Sequence, residues 1–215
     1  MTTSESLPEV IFTADPAIWL RGPSPDETEQ ERRDWVLGAQ HAVATDFDLE
    51  TSPGGADYRQ YVSEVLTVFA SWRTPADVTF LRLRHQGDTP VPVSVELYSP
   101  SDLQGIVDDP ALELPTAGGS PAERLVAALL ADPDDVPTVG EISREPVEDS
   151  RWQRLVYWVE DPEDGVTGRV RLVRHFERSG VVVVLRLGGL DPARTLEALD
   201  DVDGLARGIA VGGES

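Results

Sequence analysis

Three histidines, His41, His85 and His175, and eighteen arginines supply all the basic side chains of this sequence, which has no lysine, cysteine or asparagine. Without lysine there is no Schiff-base nucleophile and no ammonium to grip a phosphate. Without cysteine there is no thiol nucleophile, thiolate zinc site or disulfide. None of the histidines has an HxH, HExxH or HxxxH partner, the spacings that bring two imidazoles to one side of a strand or helix, so no metal site is read from them. Gly-x-Ser-x-Gly is absent, as are Gly-x-Gly-x-x-Gly and any phosphate loop ending in Lys-Ser or Lys-Thr, which argues against serine-hydrolase and nucleotide chemistry. Asp201-Val202-Asp203-Gly204 begins like a calcium loop. It lacks the third acid, misplaces the glycine and has no glutamate at the twelfth position. The acidic clusters are read as turns and caps, and no catalytic residue, metal or cofactor is expected.

One stretch breaks the acidity of the chain. Residues 151–189 hold seven arginines against five acids, a local balance of +2 (7 − 5), in a protein of net charge −21. Arg169 and Arg171 alternate along one strand-like run and share a face with Val173 and His175. Arg154 and Arg186 are expected to join them across neighbouring strands. Trp152 and Trp158 share parity with Arg154 and Val156. Two readings stand side by side: ion pairs and core packing, or an arginine and aromatic surface for an acidic peptide or anion. The candidate binding residues are Arg154, Arg169, Arg171, His175, Trp152 and Trp158.

The charge sets limits on partners. Thirty-nine Asp and Glu against eighteen Arg repel nucleic acid and anionic membranes and steer basic proteins inward. The absence of Lys and Asn, both A-rich codons, fits a GC-rich genome such as an actinobacterial one. Hydrophobic residues make up 40% of 215, enough for a real core. Met1 to Ser6 carry neither a basic nor an apolar signal region, and no apolar run, Val181 to Leu185 included, is long enough to span a bilayer, so a cytoplasmic location is expected.

The elements that must position these residues follow from caps and periodicity. Residues 1–23 read as an extended segment with a short strand at Val10-Ile11-Phe12. Ser24-Pro25-Asp26-Glu27 is a capping box that starts a helix running to about Ala44. Tyr58, Tyr61, Val62, Val65, Phe69 and Trp72 form one apolar face of a second helix, ended by Arg73-Thr74-Pro75. Runs 78–85 and 91–98 read as a hairpin around Gln86-Gly87-Asp88-Thr89-Pro90. A weak helical turn near Asp102 to Val107 and a loop precede a short helix capped by Ser120. Four strand-like runs follow, at about 138–146, 152–160, 167–176 and 181–188, joined by short turns into an antiparallel meander. Asp191-Pro192 caps a last helix, with Leu196, Leu199, Leu205 and Ile209 inward and Gly204 interrupting it. Residues 212–215 should fray. The expected fold is α+β, a single domain over 1–215 with one antiparallel sheet of about six strands flanked by helices.

The order strand, strand, strand, helix, with Tyr157-Trp158-Val159, then Val181 to Leu185, then Asp191-Pro192-Ala193-Arg194-Thr195-Leu196 leading to Ile209-Ala210-Val211, resembles small actinobacterial proteins of the Mog1/PsbP-like α/β/α sandwich type. The resemblance covers about residues 138–211 and is a pattern of elements, with no shared catalytic residues to carry over. It implies a binding or assembly factor. The sequence therefore leads to a non-enzymatic, acidic protein-binding or accessory factor of chaperone, immunity or regulatory type with a basic partner. The alternative is a small-ligand-binding or hydrolytic protein with a pocket between sheet and helices.

Overall fold

The structure, a computed structural model, describes residues 8–72, 74, 76–109, 119–131, 137–163 and 165–212. In chain order the elements are β1 (Val10–Phe12), β2 (Trp19–Arg21), α1 (Glu29–Asp46), α2 (Gly55–Ser71), β3 (Val78–Arg82), β4 (Val91–Tyr98), α3 (Pro100–Asp108) and α4 (Pro121–Ala131). They continue with β5 (Ser143–Pro146), β6 (Gln153–Asp161), β7 (Gly165–Phe176), β8 (Val181–Leu190), α5 (Pro192–Arg207) and β9 (Ile209–Val211). The α+β class holds, but the sheet is larger than the six strands expected: seven, in the order β2-β3-β4-β8-β7-β6-β5. β1 and β9 form a second, two-stranded antiparallel sheet. The sequence missed β9 because Ile209-Ala210-Val211 continues the apolar period of the preceding helix.

The chain divides into two compact units, Asp15–Val95 and the described residues up to Ala14 together with those from Glu96 onward. β4 contributes its first five residues to one unit and Glu96 to Tyr98 to the other.

In the Asp15–Val95 unit, α1 begins four residues later than the Ser24 box predicts. Ser24 to Glu27 form a turn, and the working cap is Thr28. The Thr28 hydroxyl accepts from the Glu31 N–H at 3.3 Å, and the Glu31 carboxylate accepts from the Thr28 N–H at 2.7 Å. These bonds from Thr28 hold the Glu31 carboxyl below its usual range. Arg32 explains the displaced start. Its buried guanidinium donates to the carbonyls of Ser24, Pro25, Glu27 and Ala70, so those upstream carbonyls do not enter the helix. The Ala70 bond also ties α1 to the end of α2. The core here is Val43, Leu49, Tyr58, Val62, Leu66 and Phe69 packed on Leu81 and Leu83. Leu66 replaces Tyr61 in the buried face of α2. Trp72, expected inside, is exposed, because it stands at the helix C-cap with extended backbone. Arg73 and Pro75, read as the stop, lie outside the described residues.

The hairpin of β3 and β4 pairs as expected, from Val78↔Val95 to Arg82↔Val91. Its turn is fixed from inside. Asp88 pairs with Arg82 at 3.3 Å in a fully buried ion pair and accepts the Arg84 N–H at 3.0 Å. The Tyr58 hydroxyl donates to the carbonyls of His85 and Asp88.

In the second unit β5 to β8 form the antiparallel meander, and helices lie on both of its faces. Val173, Val182 and Val184 pack against Leu103 of α3 and Ala122 and Leu125 of α4. On the opposite face α5 approaches β7 so closely that a Cβ on Gly168 would lie 2.1 Å from the Thr195 hydroxyl. Ser120 caps α4 reciprocally with Glu123, as the sequence predicts. Asp191 caps α5, whose inward residues are Thr195, Ala198, Val202, Asp203, Leu205 and Ala206. Leu196 is exposed and Leu199 half-buried, contrary to expectation, and the helix runs through Gly204 without a break. Leu205 and Ile209 are buried as expected, but in the first turns the covered positions are the small Thr195 and Ala198, where the helix sits close to the sheet. Residues 1–7 of the segment expected to be extended, the loop residues 110–118 and 132–136, and the fraying expected at 213–215 lie outside the described residues.

Candidate binding surface

The six residues singled out by composition do not form one surface. The register decides this. Leu155, Arg171 and Arg186 stand in one row across β6, β7 and β8, while Arg154, Leu172 and Leu185 stand in another of opposite parity. Arg186 therefore shares the α3/α4 face with Arg169 and Arg171, as expected, but Arg154 is on the α5 face with Trp158. The error came from aligning strands by composition, since a one-residue shift in register exchanges faces.

Arg171, Arg186 and Arg154 are engaged within the fold. Arg171 is 2% exposed and donates to the Leu129 carbonyl, while Arg144 from β5 donates to the carbonyls of Leu130 and Ala131 at 2.8 and 3.1 Å. Together they cap the C-terminal end of α4, which has no basic residue in its own last turn and whose dipole favours cations there. Arg171 faces Arg186 directly, an unfavourable like-charge pair. It is relieved where the Arg186 guanidinium meets Glu96 at 2.9 Å; Glu96 also accepts the Tyr98 hydroxyl at 2.7 Å. Burial, then Glu96, push Tyr98 up to about 12. Arg169 lies half-buried over Gly188.

On the α5 face Arg154 bridges Asp203 at 2.5 Å and Glu145 at 3.0 Å. Burial pushes the Asp203 carboxyl up, outweighing the pull of Arg154 and Arg207. Hydrogen bonding from Ser143 and then Arg154 holds Glu145 below its usual range. Trp152 is 0% exposed and packs edge-on against Phe176, with ring centroids 6.2 Å apart. Trp158 is half-buried. His175 is half-buried and lies near Glu123 at the start of α4, where the Ser120 bonds, more than the imidazole, hold Glu123 below its usual range. His41 is exposed on α1, and His85 is exposed in the β3–β4 turn, where its Nδ1 lies 3.0 Å from the Gln86 carbonyl. Among the described residues no group of three or more His, Asp and Glu could hold a metal ion, and no helix is long and apolar enough to cross a membrane.

The two most exposed large apolar side chains lie elsewhere, on α1 and α2. Val68 is 69% and Leu37 64% exposed, the highest values among the large hydrophobics described, and Tyr61 and Trp72 are exposed on or beside α2. Tyr61, Val68 and Trp72 follow i, i+7 and i+11, a second stripe next to the buried one, with Val65 at its inner edge packed against the core. Sequence reasoning merged the two stripes because both are apolar. A groove of about 570 Å³ between α1 and α2 is lined by Val36, Leu37, Thr67 and Ala70, with the Glu29–Arg33 pair at one end. A larger hollow of about 800 Å³ opens where the end of α1 meets β2 and β3, walled by Ile18, Leu20, Val43, Phe47 and Leu83 and rimmed by Asp46, Asp48, Arg84 and His85.

No protein-family model matches the chain, and no curated protein matches it.

Proposed function

We propose that this chain is a non-enzymatic, protein-binding accessory factor of chaperone, immunity or regulatory type, working in the cytoplasm, and that a protein partner docks on the outer face of α1 and α2. The observation that carries the reading is the concentration of exposed apolar side chains on that helical pair, led by Leu37 and Val68. Exposed apolar patches of this kind mark interaction surfaces. Of the polar side chains that had suggested a site on the meander, Arg154, Arg171 and Arg186 are held in internal contacts. The net charge of −21 favours a basic partner. The resemblance of residues 138–211 to Mog1/PsbP-like proteins supports a binding role by analogy. The test is capture from the native cell extract on immobilised wild-type protein and on the Leu37→Ser, Val68→Ser double variant. A partner held by the first and lost by the second supports the reading. A partner held equally by both rejects this face.

One observation favours a second reading, a small-ligand-binding or hydrolytic protein. The 800 Å³ hollow has apolar walls and a few polar groups at its rim, the general make-up of ligand sites. Ala17→Trp, at an exposed position in its wall, would fill it. Ligand-observed NMR with a fragment library should give hits on wild type that this variant loses; a library with no such hits rejects this reading.

A further inference from the structure

We infer that the occupant of the α1–α2 groove is a basic amphipathic helix of the partner, an inference that rests on the docking face proposed above. The two helices run antiparallel, since Arg32 meets Ala70 at one end and Gln40 meets Ser63 further along at 2.8 Å. A groove between antiparallel helices runs along their axes and takes the ridge of a third helix. Its α2 side is made of Thr67, Ala70 and Ser71. Such small side chains let another backbone approach closely, while Leu37 in the lining and the exposed Val68, next to Thr67 on α2, offer apolar anchors.

Charge decides which kind of helix. Asp34 stands one turn before Leu37, and Glu64 one turn before Val68. Asp34 accepts only the Gln30 amide, at 2.9 Å, and Glu64 only the Gln60 amide, at 3.1 Å; among the described residues neither meets a cation. Among the described residues that line the groove, the exposed cation Arg33 is paired with Glu29. The anchors are thus flanked by two carboxylates without counter-charge. The complementary surface is an apolar helical stripe flanked by Lys or Arg, steered in by the overall field.

The probe is a fluorescein-labelled Leu/Arg peptide of about 18 residues with its leucines on one helical face. It is compared with a scrambled peptide of the same composition and with a Leu/Glu peptide of the same pattern. Fluorescence anisotropy at about 0.15 M salt should show the patterned Leu/Arg peptide binding at least ~10-fold more tightly than the scrambled one, and the Leu/Glu peptide not binding. Leu37→Ser with Val68→Ser should remove that preference while the melting curve stays in place. Asp34→Asn with Glu64→Gln should weaken binding roughly 3- to 10-fold and flatten its salt dependence. Equal binding of the scrambled peptide would reduce the effect to bulk acidity and overturn the inference. Concentration-dependent dimerisation lost in Leu37→Ser would overturn it in favour of a second copy. If the peptide fails but capture of a natural partner still depends on Leu37 and Val68, the docking face stands and only the basic helix falls. If both fail, both fall.

Discussion

The β6–β8 meander and the α1–α2 pair both combine apolar side chains with arginine, and end differently. On the meander both faces are covered by helices, and even charged residues are drawn into the interior: Arg171 caps α4, and Arg154 bridges Glu145 and Asp203. On the helical pair one apolar stripe closes over Leu81 and Leu83, while Leu37 on α1 and Tyr61, Val68 and Trp72 on or beside α2 stay exposed. An arginine on a strand between two helical layers has backbone carbonyls and carboxylates within reach and becomes structural. Apolar side chains with nothing packed over them are the better sign of an external partner. The richest clustering of polar chemistry in the sequence was thus the poorer guide to the surface.

Substitutions can break this contrast. The largest effect is expected at Val183, which is completely buried in β8. Val183→Asp should destabilise by about 3 kcal/mol or more in denaturant titration, because it buries a charge without a partner. Wild-type stability would mean that the meander is not covered on that face.

Arg171 and Arg169 separate the structural role from a surface role. Arg171→Ala should cost about 2–3 kcal/mol, since it uncaps α4 and leaves the Leu129 carbonyl buried. Arg169→Ala, which removes only a half-buried stem over Gly188, should cost less than about 1 kcal/mol. Equal and small losses would return both arginines to the list of candidate binding residues.

Tyr58 tests how firmly the helical pair holds its hairpin. Burial, then Asp88, push its phenol up to about 12. The folded protein keeps that proton at a pH where the unfolded chain, with a phenol near 10, gives it up. Stability from Tyr58 is therefore complete below about pH 10 and is lost as pH rises toward 12. Tyr98, also raised to about 12, adds a loss of the same sign. Tyr58→Phe should cost about 1–2 kcal/mol at neutral pH through the hydrogen bonds to His85 and Asp88. It should also make the alkaline fall in melting temperature shallower. An unchanged alkaline slope would show that Tyr58 is solvated.

The smallest stability change is expected at the proposed docking face. Leu37→Ser and Val68→Ser should each shift stability by no more than about 0.5 kcal/mol, because both side chains are already in water. A large loss would mean that this stripe packs against the protein itself, and the contrast with the meander would disappear.

The sequence alone determined whatever depends on neighbours along the chain. The caps at Ser120 and Asp191, the β3–β4 hairpin, the meander order and the α+β class all follow from turn chemistry and periodicity within a few residues. It also identified Arg171 and His175 as sharing one strand face. Tertiary structure decided what depends on alternatives of similar local strength. Ser24 and Thr28 both begin a capping box, and Arg32 selects Thr28 by holding the carbonyls upstream. The two apolar stripes of α2 differ only in what packs over them, and Leu66 displaced Tyr61 inside. Gly168 places α5 so close to β7 that Thr195 and Ala198, not Leu196, are the buried positions there. The face on which Arg154 lies was fixed by strand register, a relation between distant residues that no local pattern encodes.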